Sequence, residues 1–536
     1  MTLFSSRRAF RSLALLLFSS SLGAAPVQTD AGAVEGATDA ADPAIRVFKG
    51  IPFAAPPVGA RRWQPPQPVE PWSGVRPATQ FGPRAMQARL YSDMVFRDDG
   101  PAEDCLYLNV WTPAKNADER RPVMVWIYGG GFQAGAASEP RQDGAHLAGK
   151  GVVVVSLNYR LGVFGFLAHP ELTRESGREA SGNYGLLDQI AALQWVRRNI
   201  AAFGGDPDNV TIFGESAGSM SVSALMTSPL ARGLFHRAIG QSGAVQLTGG
   251  RHGRELSLAA AERRGLDLAA AAGATSLAGL RALPAAELLR VATQHPELAL
   301  RPILDGYVLP ADPGKTWAGG AQARVPLLAG WNADEVRVYQ TFGDKRPTAA
   351  AFIAKTRAAF GPRADAVLTL YPAENDEQAA RSAGDLAGDQ FVGYSTWKWL
   401  EQQLVTGGGV PVYRFSFDRA VPVVAGTVIN GRPATGADVG AAHASEIVYV
   451  FGTLALAAPQ VPWQPEDFAL SETMQTYWTN FAKTGNPNGA GVPAWPRYGR
   501  DDRYPVQHLD TTVRAAADAH RARYLFWSAD AAVPEN

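Results

Sequence analysis

The sequence predicts an α/β protein with a large, mostly parallel central sheet and helices on both faces, and three observations carry that prediction. Two near-continuous apolar runs, "PVMVWIY" at 122 to 128 and "GVVVVSLNY" at 151 to 159, read as strands buried on both faces. Downstream, "YGLLDQIAALQWVRRNI" at 184 to 200 repeats its apolar residues every three or four positions, as an amphipathic helix does. The third observation is "NVTIFG" followed by "SAGSMSVSALMTS", a short buried strand that turns directly into a helix. Strands alternating with helices imply parallel neighbours, because a parallel partner is reached only through a crossover.

Length and composition agree with this class. The chain has 536 residues, 46% hydrophobic and 19% charged, which suffices for a large core. No glycine-serine or proline-rich linker divides it, so a single domain over 26–536 with helical insertions is expected. Fifty basic residues balance fifty acidic ones, with no like-charge run beyond pairs such as Arg197-Arg198. There is thus no electrostatic footprint for nucleic acid.

At the N-terminus, Arg7, Arg8 and Arg11 precede the apolar run "SLALLLF", and small residues close the segment at Ala25. This is the layout of a signal peptide over 1–25, with an apolar stretch too short for a stable membrane anchor, so the mature chain is expected to be periplasmic or secreted. The Arg7-Arg8 pair resembles the twin-arginine export signal, and ordinary secretory signals also contain adjacent arginines, so the route stays open. The lone Cys105 begins an apolar alternating run and is read as a buried structural residue, not a nucleophile.

The strand-turn-helix contains Gly214, Glu215, Ser216, Ala217 and Gly218, a G-x-S-x-G pattern. In this setting the glycines permit a turn tight enough to hold the serine oxygen out above the sheet, and the helix starting at Ala217 points free N–H groups at an oxyanion. Upstream, Gly129, Gly130, Gly131 and Phe132 follow the first apolar strand, and three glycines let backbone N–H groups approach a ligand closely. Together these features read as an α/β-hydrolase fold with Ser216 as candidate nucleophile.

The order of "FKGIPFAAPPVGARRWQPPQPVEPWSGVRPATQFGP", "EDCLYLNVWTP", "VMVWIYGGGF", "SLNYRLGVFGFL", the serine segment and "WTNFAKTGNPN" resembles the type-B carboxylesterase and cholinesterase family over nearly the whole mature chain. That resemblance implies hydrolysis of carboxylic esters by a serine nucleophile, with water as second substrate and neither metal nor organic cofactor. It assigns the acid to Glu335 in "LLAGWNADEVRVY", with Asp334 as the neighbouring competitor, and the base to His443 in "GAAHASEIVYVFG". It also implies an oxyanion hole of Gly130, Gly131 and Ala217, supports at Glu215 and Ser242, and a pocket lined by Phe132, Phe391, Tyr394 and Trp397, although such aromatics equally serve a core. Seven other histidines lie outside the family's catalytic segments.

One departure is informative. Relatives with a disulfide join the cysteine of "EDCLYLN" to one upstream, where this chain has Ala85 in "FGPRAMQ". The segment between Ala85 and Cys105, which borders the gorge in this family, is expected to be unstapled and more mobile than in disulfide-bonded relatives. It contains no tryptophan, which disfavours choline ester recognition. With an ordinary histidine as base, activity is expected to fall on the acid side of about pH 6 to 7. Two further readings stay open: a lipase with segment 251–300 as a cover over the gorge, and a non-catalytic binding protein on the same fold, which intact Ser216, Glu335 and His443 argue against.

Overall fold

In a computed structural model, the described residues are 25–245, 257–298, 300–336, 347–429, 431–501 and 503–530. The expected leader therefore lies, up to residue 24, outside the described residues, as do 251–256 and 299 of the expected cover segment.

Eleven strands form the main sheet. In chain order they are β1 (Ala37–Thr38), β2 (Arg46–Pro52), β3 (Tyr107–Thr112), β4 (Arg121–Ile127), β5 (Val153–Leu157), β6 (Gly205–Glu215), β7 (Arg237–Gln241), β8 (Leu327–Asn332), β9 (Val412–Phe417), β10 (Pro505–Leu509) and β11 (Arg514–Ala517). Their spatial order is β11-β10-β9-β8-β7-β6-β4-β5-β3-β2-β1. From β5 to β10 every pairing is parallel, and antiparallel strands finish both flanks.

Register explains why these segments are apolar throughout. Val155, Val125, Ile212, Ala238, Leu327 and Val412 form one row across six adjacent strands. All of them are buried, since helices cover both faces. The helix predicted at 184 to 200 spans Tyr184–Asn199 (α1), and that after the serine spans Ala217–Thr227 (α2).

Parallel register also brings the carboxyl ends of β4, β6, β7 and β8 to one edge, where Ile127 pairs with Gly214, Gly214 with Gly240, and Gly240 with Ala329. The chain leaves β4 toward β5 on one side and returns to β6 on the other. The ends of β4 and β6 thus flank a topological switch point, where open α/β sheets form their crevice.

The helices Leu258–Ala271, Leu277–Ala282 and Ala285–Gln294 bury Leu268, Leu280 and Leu288 in the main core. Arg62 ties this region down by donating from Nη1 to the carbonyls of Leu280, Arg281 and Leu283. Amphipathic packing on the body accounts for this composition. Among the described residues no helix is long and apolar enough to cross a membrane.

Candidate active site

Ser216 stands at the turn between β6 and α2 with φ 55° and ψ −122°, a conformation costly for a residue with a side chain. The surrounding contacts impose it. A Cβ on Gly218 would lie 2.0 Å from the Ile127 carbonyl oxygen, and one on Gly214 would lie 2.6 Å from the Gly218 backbone. Ser216 N–H donates to the Gln241 carbonyl at 2.8 Å, and the Ser216 carbonyl accepts from Met220 N–H at 2.9 Å. Both glycines are therefore required by packing, and the serine is lifted out at the sheet edge.

The glycine loop after β4 packs on this elbow. A Cβ on Gly129 would stand 3.0 Å from Ser216 Cβ, and Gly130 and Gly131 have φ of 103° and 64°. Among the described residues, the N–H groups of Gly130, Gly131 and Ala217 donate to no protein acceptor. Three unpaired donors thus surround the serine, two from the loop and one from the positive end of α2.

Ser242 follows β7, Glu335 follows β8 and His443 lies on the segment after β9, and the three meet at this edge. Glu335 Oε1 accepts from Ser242 Oγ at 2.5 Å and from Asn332 N–H at 2.7 Å, while Oε2 lies 2.5 Å from His443 Nδ1. Asp334 turns elsewhere: its carboxylate accepts Ala441 N–H at 2.8 Å, pinning the backbone before the histidine. Glu335, not Asp334, orients the imidazole. Other histidines have local duties, His169 accepting Glu171 N–H, His236 accepting Val210 N–H and His508 pairing with Asp418.

His443 Nε2 lies 3.1 Å from Glu215 Oε1. Among the described residues no hydrogen bond joins Nε2 to Ser216 Oγ, the partner expected from sequence. Charge explains the difference. Burial pushes the Glu215 carboxyl up to about 8, because it lies in a dry site beside Glu446 and Glu335, against the opposing pull of His443 and Arg141. Burial lowers the imidazole's proton affinity, but Glu215, Glu335 and Glu446 outweigh that and raise it to about 10. Where the sequence led to an ordinary histidine, the surrounding carboxylates hold the His443 ring above its usual value.

Glu446 escaped the sequence reading. Fully buried, it accepts from Gln241 Nε2 at 2.9 Å and from Asn332 Nδ2 at 2.7 Å, bracing the strand ends behind the imidazole. Its signal was a lone acid at the start of the apolar run "EIVYVF".

The aromatic group divides. Phe391, 47% exposed, sets its ring 5.0 Å from that of His443. Trp397 is instead core, buried at 2% exposure and stacked on Tyr524 at 5.6 Å, with Tyr394 beside it. Phe132 is buried against Phe166. Of the four proposed pocket aromatics, Phe391 alone combines a large exposed surface with contact to the imidazole. Among the described residues no group of three or more His, Cys, Asp or Glu could hold a metal ion. Cys105 is buried, and its surroundings push the thiol well above the ordinary range, which suits a packing role.

A serine on a strained elbow at the carboxyl edge of such a sheet, beside unpaired N–H donors and a carboxylate-held histidine, defines the class: an α/β-hydrolase. Residues 24–527 match the model of the Carboxylesterase family, and the chain belongs to that family. It is similar to the Fumonisin B1 esterase of Sphingopyxis macrogoltabida, with 39% identity over 88% of this chain and 84% of that one. It is similar also to the Para-nitrobenzyl esterase of Bacillus subtilis (strain 168), with 38% identity over 93% and 98% of the two chains. A solved Geobacillus stearothermophilus carboxylesterase superposes with a TM-score of 0.78 at 35% identity, covering 93% of this chain and 99% of that one. The protein is an ester-hydrolysing enzyme.

Proposed function

We propose that the chain hydrolyses small to medium carboxylic esters through Ser216, His443 and Glu335 and an acyl-enzyme intermediate. The observation that supports this most is the pairing of His443 Nδ1 with Glu335 beside the elbow serine. Neutral His443 takes the Ser216 proton at Nε2 as Oγ attacks the ester carbonyl, and the N–H groups of Gly130, Gly131 and Ala217 receive the oxyanion. For this step Nε2 must leave its position 3.1 Å from Glu215 Oε1 and turn to Ser216 Oγ. Glu335 holds the imidazole at Nδ1 and stabilises the imidazolium. His443 then returns the proton to the leaving alcohol, and a water activated in the same way releases the acid.

The test is turnover of p-nitrophenyl esters of graded acyl length by the wild type and by Ser216→Ala, with mass spectrometry after an organophosphonate probe. Loss of turnover in the variant and one adduct on Ser216 are expected. Turnover that survives in Ser216→Ala would end this reading. We propose further that residues 1–25 direct export; N-terminal sequencing of the periplasmic and secreted fractions, with and without Arg7→Lys and Arg8→Lys, tests that.

A further inference from the structure

Resting on the function proposed above, we infer that substrate size is controlled by a roof over the glycine loop, residues Tyr91 to Met94, held shut by the Asp93–Arg141 ion pair. Tyr91 and Met94 lie against the glycine loop at Gly130 and Gly131. The Tyr91 hydroxyl lies 3.3 Å from where a Cβ would stand on Gly131, and the Met94 methyl 3.2 Å from the same point on Gly130. An acyl group bulkier than acetyl, placed over Gly130 and Gly131, therefore meets these two side chains first.

Polar contacts hold the base of this segment to the stretch after the glycine loop. Gln87 exchanges two hydrogen bonds with Gly135 at 2.9 Å, Arg97 binds Asp143 at 2.7 Å, and Asp98 accepts from Ser138 and Arg84 at 2.5 Å each. The tip between Ala88 and Phe96 is tied to the body by the ion pair of Asp93 Oδ2 with Arg141 Nη1 at 3.3 Å. Its inner half is fixed: Arg141 Nε lies 2.7 Å from buried Glu139, and the Arg141 carbonyl accepts from Thr453 Oγ1 at 2.9 Å. Its outer half is on the surface, with the Asp93 side chain 70% exposed. Opening the roof breaks this exposed, solvent-screened ion pair and lifts Tyr91 and Met94 off the glycine loop while both anchors stay in place.

The experiment compares kcat/KM for p-nitrophenyl benzoate with that for p-nitrophenyl acetate at low and high salt, in wild type, Asp93→Asn, Asp93→Glu and Tyr91→Ala. Asp93→Asn is expected to raise the benzoate-to-acetate ratio about two- to fivefold, the range of an exposed ion pair. High salt should raise the wild-type ratio similarly and leave that of Asp93→Asn unmoved. Asp93→Glu should keep the wild-type ratio, and Tyr91→Ala should raise it while remaining salt-sensitive. An unchanged ratio in Asp93→Asn, or an equal salt response in variant and wild type, overturns the roof with the proposed function intact. Failure of the wild type to turn over either ester, or turnover persisting in Ser216→Ala, overturns the proposed function and this inference with it.

Discussion

Replacing Glu215 by Gln removes a charge 3.1 Å from His443 Nε2 while keeping the shape of the side chain. With an effective dielectric constant of about 20, two unit charges at that separation attract by roughly 5 kcal/mol. The cost of burying both offsets much of this, and an opposite charge so close typically moves a pKa by about 1 to 3 units, or roughly 1.4 to 4 kcal/mol. Glu335 and Glu446 remain in the variant and keep part of the upward shift of His443. A neutral amide cannot stabilise the imidazolium, so the base sheds its proton at lower pH. The acid limb of the kcat/KM profile in Glu215→Gln is therefore expected to lie about 1 to 2 pH units below that of the wild type. Stability follows with a definite sign. The raised imidazole contributes stability that is full below its ordinary value of 6.5 and is lost as pH rises through about 10. The raised Glu215 carboxyl makes folding less favourable as pH climbs from the ordinary 4.5 to about 8. The slope of unfolding free energy against pH across that window should thus be shallower in the variant, as read by urea titration. An acid limb that stays put or moves upward would refute the reasoning.

Other perturbations have equally direct outcomes. Ser242→Ala removes the 2.5 Å donor to Glu335, and kcat should fall on the order of tenfold in steady-state assays. Gly218→Ala forces a Cβ to within 2.0 Å of a backbone oxygen, so the urea midpoint should show a loss of about 3 kcal/mol or more, or no soluble protein. Ala85 and Cys105 are both buried and line one small cavity of about 10 Å³, and Ala85→Cys should close a disulfide there. For a loop of roughly twenty residues that adds about 3 kcal/mol, seen as a reductant-sensitive rise in Tm. It should also slow hydrogen exchange across the segment expected from sequence to be mobile.

Much of the fold was legible because its signals are local. Runs such as Val153 to Leu157, buried without exception, can only be central strands, and Gly214 and Gly218 mark a turn that no other residue fits. Strand ends shifted by a residue or two, as for β4 at Arg121–Ile127, because hydrogen-bond pairing and not apolarity ends a strand. The site was legible in parts. Ser216 announces itself through its glycines, whereas the choice of Glu335 over Asp334 depended on resemblance, since two adjacent acids have no local distinction. The structure separates them by partner: one holds the imidazole, the other the backbone of Ala441.

By itself the sequence determined the layer architecture and the elbow, because each depends on the periodicity or steric freedom of neighbouring residues, while the donor set of Gly130, Gly131 and Ala217 came from the family resemblance. Only the tertiary structure decided that Glu215 lies 3.1 Å from His443 Nε2, that Glu446 braces the strand ends behind the imidazole, that Trp397 is core while Phe391 faces the site, and that Asp93 reaches Arg141. Those facts rest on distances between segments tens to hundreds of residues apart, and on burial that sets how strongly charges interact. Both are properties of the packed chain, and no short stretch of it encodes them.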